Sequence, residues 1–202
     1  MQPHASDHRR LAPLLALLAL ITLAACGPAA WRGTPYEPPR PAAEISGINW
    51  DNTPFRLSEL RGKIVLLFFG YTYCPDVCPT TMAEMRKLME QLGAQAEQVA
   101  VVFISVDPER DTPARLAEYV PFFDRRFHGV QLTADALAQV KRDYGVFAEK
   151  RPYVAADGVE TYTVDHTARV FLVDQTGALC LSFSYGTPVE DMRADILRLL
   201  RR

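Results

Sequence analysis

Cys74 and Cys78 stand in the stretch Gly70-Tyr71-Thr72-Tyr73-Cys74-Pro75-Asp76-Val77-Cys78-Pro79-Thr80-Thr81, and a histidine, His166, follows much later in the chain. Two thiolates and one imidazole make a soft three-ligand set of the kind copper(I) favours. The same two thiols can also close into a disulfide. The chemistry open to these residues is therefore metal carriage, electron exchange, or both.

The elements around the cysteines permit either. The run Lys63-Ile64-Val65-Leu66-Leu67-Phe68-Phe69 is continuously apolar after its first residue, as expected for a strand covered on both faces. Pro79 is tolerated only in a helix's first turn, so a helix is expected to begin near Cys78. Pro75-Asp76 form a turn between the two. Positions four apart in such a stretch hold their Cβ atoms about 5–6 Å apart. Two metal–sulfur bonds of about 2.3 Å at a wide angle need sulfurs about 4 Å apart. A disulfide draws the Cβ atoms to about 3.8 Å. A small loop adjustment separates the two states, and a nearby helix N-terminus favours the thiolate. Taken alone, the pair could be a structural disulfide or two buried thiols. Its place at the C-terminal end of a core strand, where α/β sheets carry their sites, favours function.

Three motifs resemble the Sco/SenC family of copper-binding, thioredoxin-like proteins. They are Gly70-Tyr71-Thr72-Tyr73-Cys74-Pro75-Asp76-Val77-Cys78-Pro79, then Ser105-Val106-Asp107-Pro108-Glu109-Arg110-Asp111-Thr112-Pro113, then Val164-Asp165-His166-Thr167. Their order and spacing agree with the family across most of residues 45–200. The resemblance implies that Cys74, Cys78 and His166 are copper ligands. It assigns no role to Cys180.

The coarse pattern agrees with an α/β, thioredoxin-like fold in which helices flank a central mixed sheet. Strands are expected over residues 64–69, 99–106, 170–173 and 179–185, the last two joined by the turn Asp174-Gln175-Thr176-Gly177. Helices are expected over 79–92, 113–123, 134–144 and 189–200, with Thr112-Pro113 as cap and first residue of the second. In thioredoxin-like folds the loop entering the strand at 170 faces the cysteines and usually carries a cis-proline. Here no proline is present and His166 stands close by, with Asp165 or a backbone carbonyl placed to orient its ring. Structural zinc wants four ligands, and Cys180, in the apolar run Ala178-Leu179-Cys180-Leu181, is expected to be a buried small hydrophobe. Three soft ligands suit copper(I), and the imidazole admits copper(II). Met82, Met85 and Met89 read as an apolar helical stripe rather than thioether ligands. Tyr71 and Tyr73 are expected to shield the metal or to pack in the core. His128, in Arg125-Arg126-Phe127-His128-Gly129, is expected to be a solvated loop residue. Asp107, Glu109, Arg110 and Asp111 form a charged loop suited to partner docking or to loop capping.

The ends address the chain. Arg9 and Arg10 precede a 15-residue apolar stretch, residues 11–25, short for a membrane span. Leu23-Ala24-Ala25-Cys26-Gly27 resembles a bacterial lipoprotein cleavage site. Residues 1–25 are thus expected to be a signal peptide, and Cys26 the lipidated first residue of a membrane-anchored protein on the periplasmic or extracytoplasmic side, a compartment that tolerates disulfides. Five prolines between Pro28 and Pro41 suggest that residues 26–43 are a stiff tether. Residues 44–202 are then the copper-binding domain. Without residues 1–25 the chain holds 20 basic and 23 acidic side chains, with no basic stripe for nucleic acid.

The favoured reading is a carrier rather than an enzyme. By resemblance it delivers copper to the dinuclear copper centre of a cytochrome c oxidase, with that subunit, other copper carriers and thiol reductants as partners. The alternative is a membrane-tethered thiol-disulfide reductase that keeps oxidase cysteines reduced, with Cys74 attacking and Cys78 resolving. A thiol peroxidase is a weaker third, for want of an identifiable peroxide-activating arginine. His166 separates the readings, because exchange does not need it and a copper site does.

Overall fold

The computed structural model describes residues 30–201. The expected signal peptide and Cys26 lie outside them. Among the described residues ten strands occur: β1 Thr34–Pro41, β2 Ser46–Asn49, β3 Pro54–Arg56, β4 Ile64–Gly70, β5 Val99–Ser105, β6 His128–Gln131, β7 Ala148–Val154, β8 Glu160–His166, β9 Arg169–Val173 and β10 Ala178–Ser184. The α-helices are α1 Val77–Leu92, α2 Pro113–Phe123, α3 Ala134–Tyr144 and α4 Val189–Leu199.

The apolar runs become the centre of the sheet. Every residue of β4 and β5 is buried, and the two pair in parallel from Ile64↔Val99 to Gly70↔Ser105. The eight-stranded sheet runs β1-β10-β9-β4-β5-β6-β2-β3. β6 is parallel to β5, while β9 is antiparallel to β4 and to β10. This is the mixed, helix-flanked, thioredoxin-like sheet that the pattern implied. Helix α1 packs beside α4, and Met82, Met85 and Met89 are buried with Leu88 and Leu92. The methionine stripe is core. Thr112 caps α2 through the Arg115 N–H at 3.2 Å, as its Thr-Pro sequence suggested. Among the described residues no helix is long and apolar enough to cross a membrane.

The structure corrects three expectations. Residues 34–41 are not free tether but strand β1, paired antiparallel to β10 from Thr34↔Ser182 to Pro41↔Ala178. Proline is admissible there because an edge strand needs ladder bonds on one side only. Buried Asp195 fixes the entry by accepting the Arg32 N–H at 2.9 Å and the Gly33 N–H at 2.8 Å. Next, residues 148–166 form a separate two-stranded sheet, β7 paired with β8, where no strand was expected. Last, His128 is no solvated loop residue. It opens β6, packs 5.4 Å from the Phe55 ring, and has its pKa lowered by burial.

The β1 pairing has a measurable consequence. A chain beginning at residue 42 should melt several degrees below one beginning at residue 30, at roughly 2–4 °C per kcal/mol lost in a domain of this size. Equal melting temperatures by calorimetry would mean that β1 adds nothing to the fold.

Candidate metal centre

Cys74 lies in the turn after β4, Cys78 in the first turn of α1, and His166 at the end of β8. Their ligand atoms all lie within 4.8 Å of one another. Each position has a local cause. Asp76 precedes α1 but its side chain caps nothing; instead the Cys74 sulfur accepts the Cys78 N–H at 3.4 Å. The sulfur thus fills the role of an N-capping oxygen and sits at the positive end of the helix. Gly70 lets the second sulfur approach, since a Cβ there would lie 2.9 Å from Cys78 Sγ and 2.8 Å from the Phe103 ring.

His166 arrives from the hairpin with its Nε2 3.3 Å from Cys78 Sγ. Its Nδ1 faces the Thr167 carbonyl at 3.3 Å. A carbonyl can only accept, so that bond puts the proton on Nδ1 and leaves the Nε2 lone pair toward the sulfurs. The backbone carbonyl thus orients the ring, while Asp165 is taken by Arg151 at 2.8 Å. Edge-on rings box the imidazole: Tyr71 at 5.7 Å and Phe68 at 6.1 Å. Tyr71 is only 2% exposed, whereas Tyr73 is 52% exposed. Of the two tyrosines, Tyr71 is the one that shields the imidazole.

The cysteines carry unequal charge. The Cys74 pKa falls from the ordinary value to about 3, chiefly because the Cys78 thiol donates to its sulfur. The backbone N–H groups of Asp76 and Cys78 add to this, against partial burial. The Cys78 pKa is pushed up by that same shared proton and by burial. One thiolate and one thiol therefore face the imidazole. Cys180 is buried with its sulfur 3.6 Å from the Leu172 carbonyl.

A model of the SCO1/SenC family matches residues 37–201. The chain belongs to this family. It is 37% identical over 147 residues to a Stutzerimonas stutzeri protein described provisionally as copper-binding, a match covering 72% of this chain and 69% of that one. It is 36% identical over 143 residues to the bovine mitochondrial SCO2 homolog, covering 70% of this chain and 53% of that protein; the chain spans about half of it. Copper-bound ScoI from Bradyrhizobium japonicum superposes with a TM-score of 0.71 at 36% identity, over 78% of this chain and 98% of that one.

The three residues that the sequence singled out in this SCO1/SenC chain therefore meet in space. The charged loop after β5 does so as well, but by capping. Asp111, fully buried, accepts the Thr72 N–H at 3.0 Å and the Thr72 and Ser105 hydroxyls at 2.7 Å each. It fixes the backbone two residues before Cys74. What sequence reading missed is the hairpin that carries His166. Its signal was present in Val154-Ala155-Ala156-Asp157-Gly158-Val159, an Asp-Gly turn flanked by β-branched residues.

The asymmetry of the two sulfurs can be read by alkylation. A depressed pKa leaves Cys74 ionised at every pH well above 3, so its reaction rate with iodoacetamide should be flat from pH 5 to 8. An ordinary thiol loses about tenfold per pH unit below its pKa of about 8.5. Cys78 should stay unmodified until the fold is opened. A Cys74 rate that climbs tenfold per unit would contradict the assigned thiolate.

Proposed function

We propose that this chain carries one copper ion as cargo between Cys74, Cys78 and His166, and passes it to the dinuclear copper centre of a cytochrome c oxidase. The observation that carries the reading is the approach of two sulfurs and one imidazole nitrogen within 4.8 Å. Soft sulfur suits copper(I), and three ligands leave a structural zinc tetrahedron incomplete. Copper bound to a relative of 36% identity supports the same choice. The half-exposed position of Cys74 gives an acceptor's ligand a way in. The carrier is membrane-anchored outside the cytoplasm through a lipid on Cys26, a reading that rests on the sequence around that residue.

Replacing Cys74 or Cys78 by Ser, or His166 by Ala, should each abolish tight copper(I) binding, whereas Cys180→Ser should leave one copper per chain. Metal analysis of the reduced protein checks this, and full stoichiometry in His166→Ala would defeat the three-ligand reading. The proton count is a separate check. Cys74 is already a thiolate, so copper(I) displaces one proton, from Cys78. The logarithm of the affinity should then rise by about one per pH unit between pH 7 and 8.5. A slope of two would mean that both cysteines start protonated.

A reductase is the second reading, favoured by the low Cys74 pKa beside a buried partner thiol. Exchange needs only the two cysteines. Cells carrying His166→Ala should therefore lose oxidase activity at limiting copper while the purified variant keeps thiol-disulfide exchange. Full oxidase assembly in those cells would favour the reductase.

A further inference from the structure

The hairpin β7–β8 has little to hold it in place. No residue of β7 is buried, and in β8 only Val164 is. A lone two-stranded hairpin is marginal in water, yet this one must deliver His166 to the sulfurs. The loop after β5 supplies the missing contacts. Arg110 donates through its Nε to Asp107 at 2.6 Å and through a terminal nitrogen to the Tyr162 carbonyl at 3.0 Å. Its guanidinium lies 3.6 Å from the Tyr162 ring centroid and 4.8 Å from that of Tyr73. The Tyr162 hydroxyl donates to Asp107 at 2.8 Å. Asp107 is itself buried, so these donors are what keep its carboxylate solvated by the protein. The other terminal nitrogen of Arg110 is buried without a hydrogen-bond partner, which leaves the aromatic faces as its surroundings.

We infer that Arg110 and Tyr162 form a latch that docks the His166-bearing hairpin onto the cysteine side of the site, and so sets how tightly the three ligands grip their metal. This rests on the copper reading above. Geometry, not charge alone, makes the latch. A planar fork binds a carboxylate and a carbonyl while stacking between rings, and a lysine ammonium cannot do all three. Both residues are positioning residues, because they act through His166 and touch no metal.

The test uses the full-length reduced protein with Tyr162→Phe, which removes one hydrogen bond and keeps the ring, and Arg110→Lys, which keeps the charge and loses the fork. Copper(I) affinity, read by competition with bathocuproine disulfonate, should fall about tenfold for each variant, the low end for residues that orient a metal ligand. In a His166→Ala background the same substitutions should change the residual affinity by less than twofold. Hydrogen exchange of the metal-free protein should quicken at the β7–β8 amides and stay unchanged in α1. Equal losses with and without His166, or unchanged hairpin exchange, would overturn the latch. If the unmodified protein fails to bind copper(I), the carrier reading falls, and the exchange measurement still decides the latch.

Discussion

Cys78 Sγ and His166 Nε2 lie 3.3 Å apart, yet one belongs to a helix packed on the main sheet and the other to a hairpin in a sheet of its own. A contact between two such bodies costs conformational entropy unless the fold holds both in advance. Much of the local architecture serves that end. Gly70 lets the sulfur sit against β4. Tyr71 and Phe68 confine the imidazole. Asp111 pins the turn that leads to Cys74, and Asp107 meets the hairpin through Tyr162. One loop, four residues apart, thus reaches both sides of the site.

The electrostatics follow from this closeness. Two sulfurs this near cannot both ionise cheaply when one is buried, so a single proton stays on Cys78 and the helix N-terminus stabilises the charge on Cys74. A bound cation would reverse the penalty on Cys78, because its charge favours the second thiolate. The same half-charged pair is suited to disulfide exchange. Carrier and reductase chemistry therefore draw on one arrangement, and the imidazole is what distinguishes them.

Much of this was legible in the sequence. The apolar runs that became β4 and β5, the Thr-Pro start of α2, the methionine stripe of α1 and the cysteine pair at a strand end were read from local pattern, because burial on both faces, capping and helical period leave local signatures; His166 stood out through the family resemblance. What failed was non-local. The prolines of residues 34–41 resemble a linker until β10 is seen to supply a partner. His128 looks solvated until Phe55 is placed beside it. The Asp-Gly turn at residues 157–158 marks a hairpin, but its strands are largely polar and short of a buried face, so the period that reveals a core strand is weak there. Nothing local could show that Arg110 would meet Tyr162, 52 residues away.

The most direct test of the site is the X-ray absorption spectrum of the full-length protein loaded with one copper(I). Two sulfur scatterers and one nitrogen scatterer with the multiple-scattering signature of imidazole are the expected first shell. A shell of two sulfurs alone, or of three or more sulfurs, would contradict a centre made of Cys74, Cys78 and His166.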